Sequence, residues 1–165
     1  MSEPDDRSYE RLWDLIKDSP VAMLITVEED GSMRSRPMTT VQKEFSGRLW
    51  FFAPTMSDAV RAIEENASVC VAYANTADAD FVSISGHASI VTDAAIKQKL
   101  WSPMVQAWFP EGAEASTVSL IKVYADHAEY WDSVSNKIVQ LFSMASAYLR
   151  GKTPKNIGEH HKVEF

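Results

Sequence analysis

The 165-residue chain is 45% hydrophobic and 24% charged, with a net charge of −7, a balance that fits one globular domain able to bury a core without staples. A negative chain with no lysine/arginine run argues against nucleic acid as a partner, and no apolar run approaches the ~20 residues of a membrane helix. Cys70, alone in VCVAY, excludes an internal disulfide framework and reads as a buried thiol; with an acidic N-terminus lacking a signal-peptide pattern, a cytoplasmic protein is expected.

In chain order, residues 8–18 (SYERLWDLIKD) carry apolar positions at helical spacing, with Ser8 as N-cap and Ser19-Pro20 as a stop. The run VAMLITV ends at Glu28-Glu29-Asp30-Gly31, a hairpin signal, and SMRSRPMTTVQ is the returning strand. Pro37 marks that strand as an edge or a bulge, because proline has no N–H for the ladder. Arg34 and Arg36 share one face of it, since residues two apart in a strand point the same way. Phe45-Ser46-Gly47 turns the chain into RLWFFA, a third strand. Ser57 or Asp58 then caps a helix through AVRAIEENA.

SVCVAYAN and FVSISGHASIV read as two further strands joined by TADAD, with Gly86 as a bulge or bend. Residues 93–109 read as helix, split or kinked at Pro103. TVSLIKVYADHAEYWD reads as a strand, a turn and another strand, and residues 134–150 as an amphipathic helix closed by Gly151. The tail, 152–165, offers no usable periodicity. Neighbouring strands with hairpin turns indicate an antiparallel sheet, hence a mainly β (α+β) fold or a β-barrel with peripheral helices, built as a single domain over 1–165.

Nucleotide-loop, metalloprotease and nucleophile-elbow signatures are missing, and one cysteine allows no zinc-finger spacing. His160-His161 lies between acids but on a tail, and His87 and His127 have no partner spacing; structural roles are expected and no metal site. No catalytic residue stands out. An arginine strand, a serine-led helix start and aromatic runs at Trp50-Phe51-Phe52 and Tyr130-Trp131 suit either plain core packing or a flat phosphorylated ligand.

The ordered segments ITVEEDGSMRSRPM, GRLWFFA followed by Ser57-Asp58, FVSISGHASIV and AEYWDS resemble the FMN-binding split barrel of the pyridoxamine 5′-phosphate oxidase-like superfamily, in its general stress protein 26-like branch. The resemblance spans roughly residues 8–150. It implies a six-stranded antiparallel split barrel and a homodimer with FMN in two clefts at the subunit interface; the residues themselves leave FMN, FAD and deazaflavin open. By position it assigns flavin contacts to Arg36, Pro37, Met38, Thr39 and Thr40 on the returning strand, to Phe52 and Ala53 on the third, and to Ser57 at the helix start. Trp131 would come from the other subunit, and Arg34 would be a rim charge.

The chain departs from the oxidases where they place basic residues: Val41, Asp58 and Ala59 stand there instead. Each lost cation removes a charge-assisted hydrogen bond worth about 1.5–3 kcal/mol. No arginine-histidine segment follows Trp131. The expectation is a flavin-binding protein of the stress-protein type, a flavin-dependent oxidoreductase or flavin reductase of unknown substrate rather than an oxidase of vitamin B6. A non-catalytic flavin carrier or sensor, or a barrel that has lost its cofactor, are the alternatives.

Overall fold

The computed structural model describes residues 6–132 and 159–165. Helix α1 (Asp6–Ile16) starts two residues before the expected cap and buries Leu12, Leu15 and Ile16. Strands β1 (Val21–Val27) and β2 (Met33–Thr39) form the expected hairpin. Gly31, at φ 82°, closes its turn by donating to the Glu28 carbonyl at 2.9 Å, a left-handed conformation that glycine adopts without a Cβ penalty. On β1 the alternation puts Ala22, Leu24 and Thr26 inward.

Strand β3 (Arg48–Pro54) leads to α2 (Asp58–Glu65), which buries Ala59, Val60, Ala62 and Ile63. Strands β4 (Ser68–Asn75) and β5 (Asp80–Val91) follow as a hairpin. The next helical stretch is two helices, α3 (Ala94–Leu100) and α4 (Pro103–Trp108). Pro103 takes the first turn of α4, where its missing N–H costs nothing, and Ser102 Oγ accepts from Val105 N at 3.3 Å. Lys97 is buried on α3 and donates to the Ala115 and Val118 carbonyls, each at 2.9 Å, tying the helix to the start of β6 (Val118–Asp132).

The strands make one antiparallel sheet in the order β2-β1-β4-β5-β6-β3, with β7 (Glu159–Glu164) beside β6. Six strands are those of the expected barrel, and β7 comes from the tail where the sequence showed no pattern. The edges β2 and β3 share no ladder. They meet at one corner, where Val41 N donates to the Trp50 carbonyl at 3.2 Å and the Gln42 side chain bridges Arg48 O (2.6 Å) and Trp50 N (2.9 Å). The barrel is therefore split between β2 and β3.

Two expectations need correction. Residues 117–132 hold one continuous strand, not two with a turn. Its inward positions run Ile121, Val123 and Ala125, then change phase to Ala128 and Asp132. A bulge causes the change: Gly86 pairs with Ala125 and Ser85 with His127, leaving Asp126 extra. Gly86 is needed there, since a Cβ would lie 1.8 Å from the Tyr124 carbonyl oxygen. Cys70 is half-buried rather than buried, with its sulfur 3.6 Å from Ser83 Oγ.

The main core fills the barrel with Leu24, Phe51, Val71, Ile84 and Ile121. A second, smaller core of Phe52, Val105, Val118 and Leu120 lies under α3 and α4. The tail seals the opposite side: Phe165 stacks on Tyr9 at 5.3 Å and meets Phe45 edge-on at 5.9 Å. The expected helix at 134–150 lies outside the described residues.

Candidate functional site

The split creates a cleft. Pro37, Met38 and Thr39 of β2 form one bank, with Val41 just beyond it, and Phe52 of β3 forms the other. Met104, Val105, Trp108 and Phe109, on and just after α4, make a third wall, enclosing about 190 Å³. Phe52 is 8% exposed and is fixed by an edge contact with Trp101 at 5.1 Å and a tilted one with Phe109 at 6.2 Å. Trp108 and Met104 are 76% and 49% exposed, so this wall presents apolar surface to whatever enters. None of these lining residues has a titratable side chain. The cleft can hold a flat apolar body, while redox chemistry would have to come with that body.

Beyond Pro37, β2 turns polar. Arg36 Nη1 donates to Thr26 Oγ1 at 2.6 Å and Nη2 to Glu28 Oε1 at 2.8 Å, while Thr26 Oγ1 donates to the same carboxylate at 3.1 Å. Thr26 is fully buried, and the Arg36 and Glu28 side chains are mostly so. The hydrogen bond from Arg36 holds the Glu28 carboxyl below the usual carboxylate range, with Thr26 helping. Arg34, on the same face, points into solvent and reaches Asp58 Oδ2 at 3.4 Å. Asp58 also binds Arg61 one turn along α2. Ser57 caps that helix, its Oγ accepting from Val60 N at 3.3 Å.

The structure thus gathers Pro37, Met38, Thr39 and Phe52 at the cleft and sets Arg36 and Ser57 along the charged continuation of the same strand and the head of α2. The other three lie elsewhere. Ala53 points into the main core. Thr40 is buried and shares a 2.6 Å hydrogen bond with Tyr73 Oη, whose own titration burial pushes well above the ordinary phenol value. Trp131 pairs across β5 with Phe81, whereas Phe52 pairs with Leu120 on the same strand β6. Trp131 therefore sits toward the opposite end of β6 from Leu120, the partner of Phe52. The sequence reading missed Met104, Val105, Trp108 and Phe109 as lining residues, and named Val41 only as a lost cation. Their signal was WSPMVQAWF, a Ser-Pro start followed by apolar residues on both faces of a short helix.

Two of the described histidines stack on tyrosine rings. His87 stacks on Tyr124 at 4.9 Å with Nδ1 3.1 Å from Asp126, and His161 stacks on Tyr130 at 4.8 Å. Among the described residues, no group of His, Cys, Asp and Glu is arranged to hold a metal, and no helix is long and apolar enough to cross a membrane.

A family model described as pyridoxamine 5′-phosphate oxidase like matches residues 7–155. The chain belongs to that family. A Jannaschia sp. CCS1 protein assigned to general stress protein 26 superposes with a TM-score of 0.77 at 23% identity, covering 98% of this chain and 100% of that one; at that identity the likeness speaks to the fold. The general stress FMN/FAD binding protein of Xanthomonas citri superposes with a TM-score of 0.69 at 29% identity, over 81% of this chain and 94% of its own. Protein bli-3 of Neurospora crassa is 27% identical over 159 residues, which span 90% of this chain and 76% of bli-3. The fold is therefore the split barrel of this family, in company with general stress proteins.

Proposed function

We propose that the protein binds a flavin, FMN or a close relative, with its ring in the cleft between β2 and β3, and that it works as a homodimeric flavin-dependent oxidoreductase rather than as an oxidase of vitamin B6. The observation that carries this reading is the convergence of Pro37, Met38, Thr39 and Phe52 on one flat apolar slot. The name of the Xanthomonas citri relative, an FMN/FAD binding protein, supports the ligand class. When bound, the flavin supplies the redox chemistry; the chain's residues bind, orient and shield it.

The fit is good for one face and one edge of such a ring. Phe52 and Val41 offer apolar contact, and β2, paired on one side only, offers an open backbone edge. At about 190 Å³, the cleft is smaller than the roughly 300–1,000 Å³ typical of sites that enclose a cofactor. On this reading a second copy of the chain supplies the missing wall, with the partner copy contributing its Trp131, which is 38% exposed. The apolar outer face of the hairpin, where Val21 and Met23 are 56% and 40% exposed, suits the same contact.

Purified protein should be yellow, or turn so on adding FMN, and keep the colour through dialysis. Anaerobic bleaching by NADH or NADPH would identify a reductase, and colour without bleaching a carrier. Protein that stays colourless and refuses FMN would favour the second reading, a barrel that has lost its cofactor. The ion pairs already engaging Arg34, Arg36 and Arg61 are the observation in favour of that alternative.

A further inference from the structure

Resting on the flavin reading above, we infer that the site selects its ligand by the ring and draws little from a terminal phosphate, because Asp58 and Glu28 act as built-in anions on the guanidiniums along the continuation of β2 and the start of α2.

Following β2 away from Pro37, the first cation is Arg36, and both its terminal nitrogens are engaged, at 2.6 Å by Thr26 and 2.8 Å by Glu28. The next, Arg34, is shared between Asp58 at 3.4 Å and Glu28 at 4.0 Å. The third, Arg61, is held by the other oxygen of Asp58. Each carboxylate therefore spans two guanidiniums, as a phosphate would. The hairpin adds Glu29 and Asp30, which line one open depression with Glu28, Ser32 and Arg34.

A dianion arriving at this corner meets three arginines and four carboxylates, on a chain of net charge −7. A phosphate that takes Arg34 or Arg61 competes with Asp58 for it, and one that takes Arg36 competes with Glu28. Beside β3, Lys122 of β6 is held over the rings of Trp50 at 5.2 Å and Tyr124 at 4.5 Å. The apolar slot is unaffected by these pairs. The ligand class that follows is an isoalloxazine with a neutral tail, or with a phosphate left in solvent, and Asp58 is the residue that sets the preference.

The test is a pair of titrations, riboflavin and FMN, read by flavin fluorescence on wild type and Asp58→Asn. Asp58 is exposed and the substitution keeps its shape, so the fold is retained. Wild type should bind the two flavins within about threefold of each other, with a ratio that does not move between ~0.05 M and ~0.5 M salt. Asp58→Asn frees Arg34 and Arg61; FMN should tighten by about tenfold, the scale of one charge-assisted bond, while riboflavin stays unchanged. Arg34→Ala in the Asp58→Asn background should cancel that gain. FMN binding to wild type more than about a hundredfold tighter than riboflavin, or a ratio unmoved by Asp58→Asn, overturns the inference and leaves the flavin reading standing. Failure of both flavins to bind overturns the two together.

Discussion

The two halves of β2 are neighbours in sequence and opposites in chemistry. Residues 37–39 join Phe52 and α4 in a slot without a titratable side chain, while residues 34–36 carry two guanidiniums already bonded to carboxylates. The apolar half has contact surface to spare, with Trp108 and Met104 exposed. The charged half has satisfied itself internally. On the proposed reading, the strand recognises its ligand by shape more than by charge.

Removing Phe52 should do the most damage, because it belongs to the second core as well as to the slot. Phe52→Ala is expected to cost about 3–5 kcal/mol in urea unfolding and to abolish flavin binding. A variant of near-native stability would show that α4 can repack without it. On the charged half, Arg36→Ala leaves the fully buried Thr26 hydroxyl without its guanidinium donor, an effect of about 1–3 kcal/mol. If flavin affinity survives in that variant, the slot alone carries recognition.

A smaller effect is expected from Trp108→Ala, since the side chain is largely in solvent: flavin affinity should fall by about three- to tenfold, the worth of one ring contact, with the urea midpoint unchanged. The Glu28–Arg36 pair gives a pH signature. Because the folded Glu28 carboxyl titrates below its usual range, the pair's contribution is complete above the unfolded value of about 4.3. It is lost as pH falls through the folded value. Urea midpoints of wild type should drop on acidification more steeply than those of Glu28→Gln, and parallel curves would show the pair to be idle. Least of all, Arg34→Ala should change stability by about 0–1 kcal/mol, as its partner Asp58 is equally exposed.

Much of this was legible in the sequence because the signals were local. Asp30-Gly31 fixed the first hairpin, Ser57 the start of α2, and Pro37 the edge strand. What escaped depended on distant chain. The phase change at Asp126 looks like a turn until β5 brings Gly86 opposite Ala125, and the largely polar run of β7 is a strand only because β6 is there to pair with it. Arg36 read as a flavin contact with no sign of its protein partners, because these sit on the other side of the hairpin turn, where only the register reveals that Thr26 and Glu28 are close. Thr40 read as a ligand contact because nothing nearby announces Tyr73, thirty-three residues on. The wall from α4 was hidden for a similar reason: its apolar residues look like one kinked helix until the split is seen beneath them.

The most direct test of the central claim is sedimentation equilibrium of the protein with added FMN, followed in the visible flavin band. The expected result is flavin colour distributed with a particle of two 18.5 kDa chains. Colour that stays behind while the protein sediments as a single chain would contradict it.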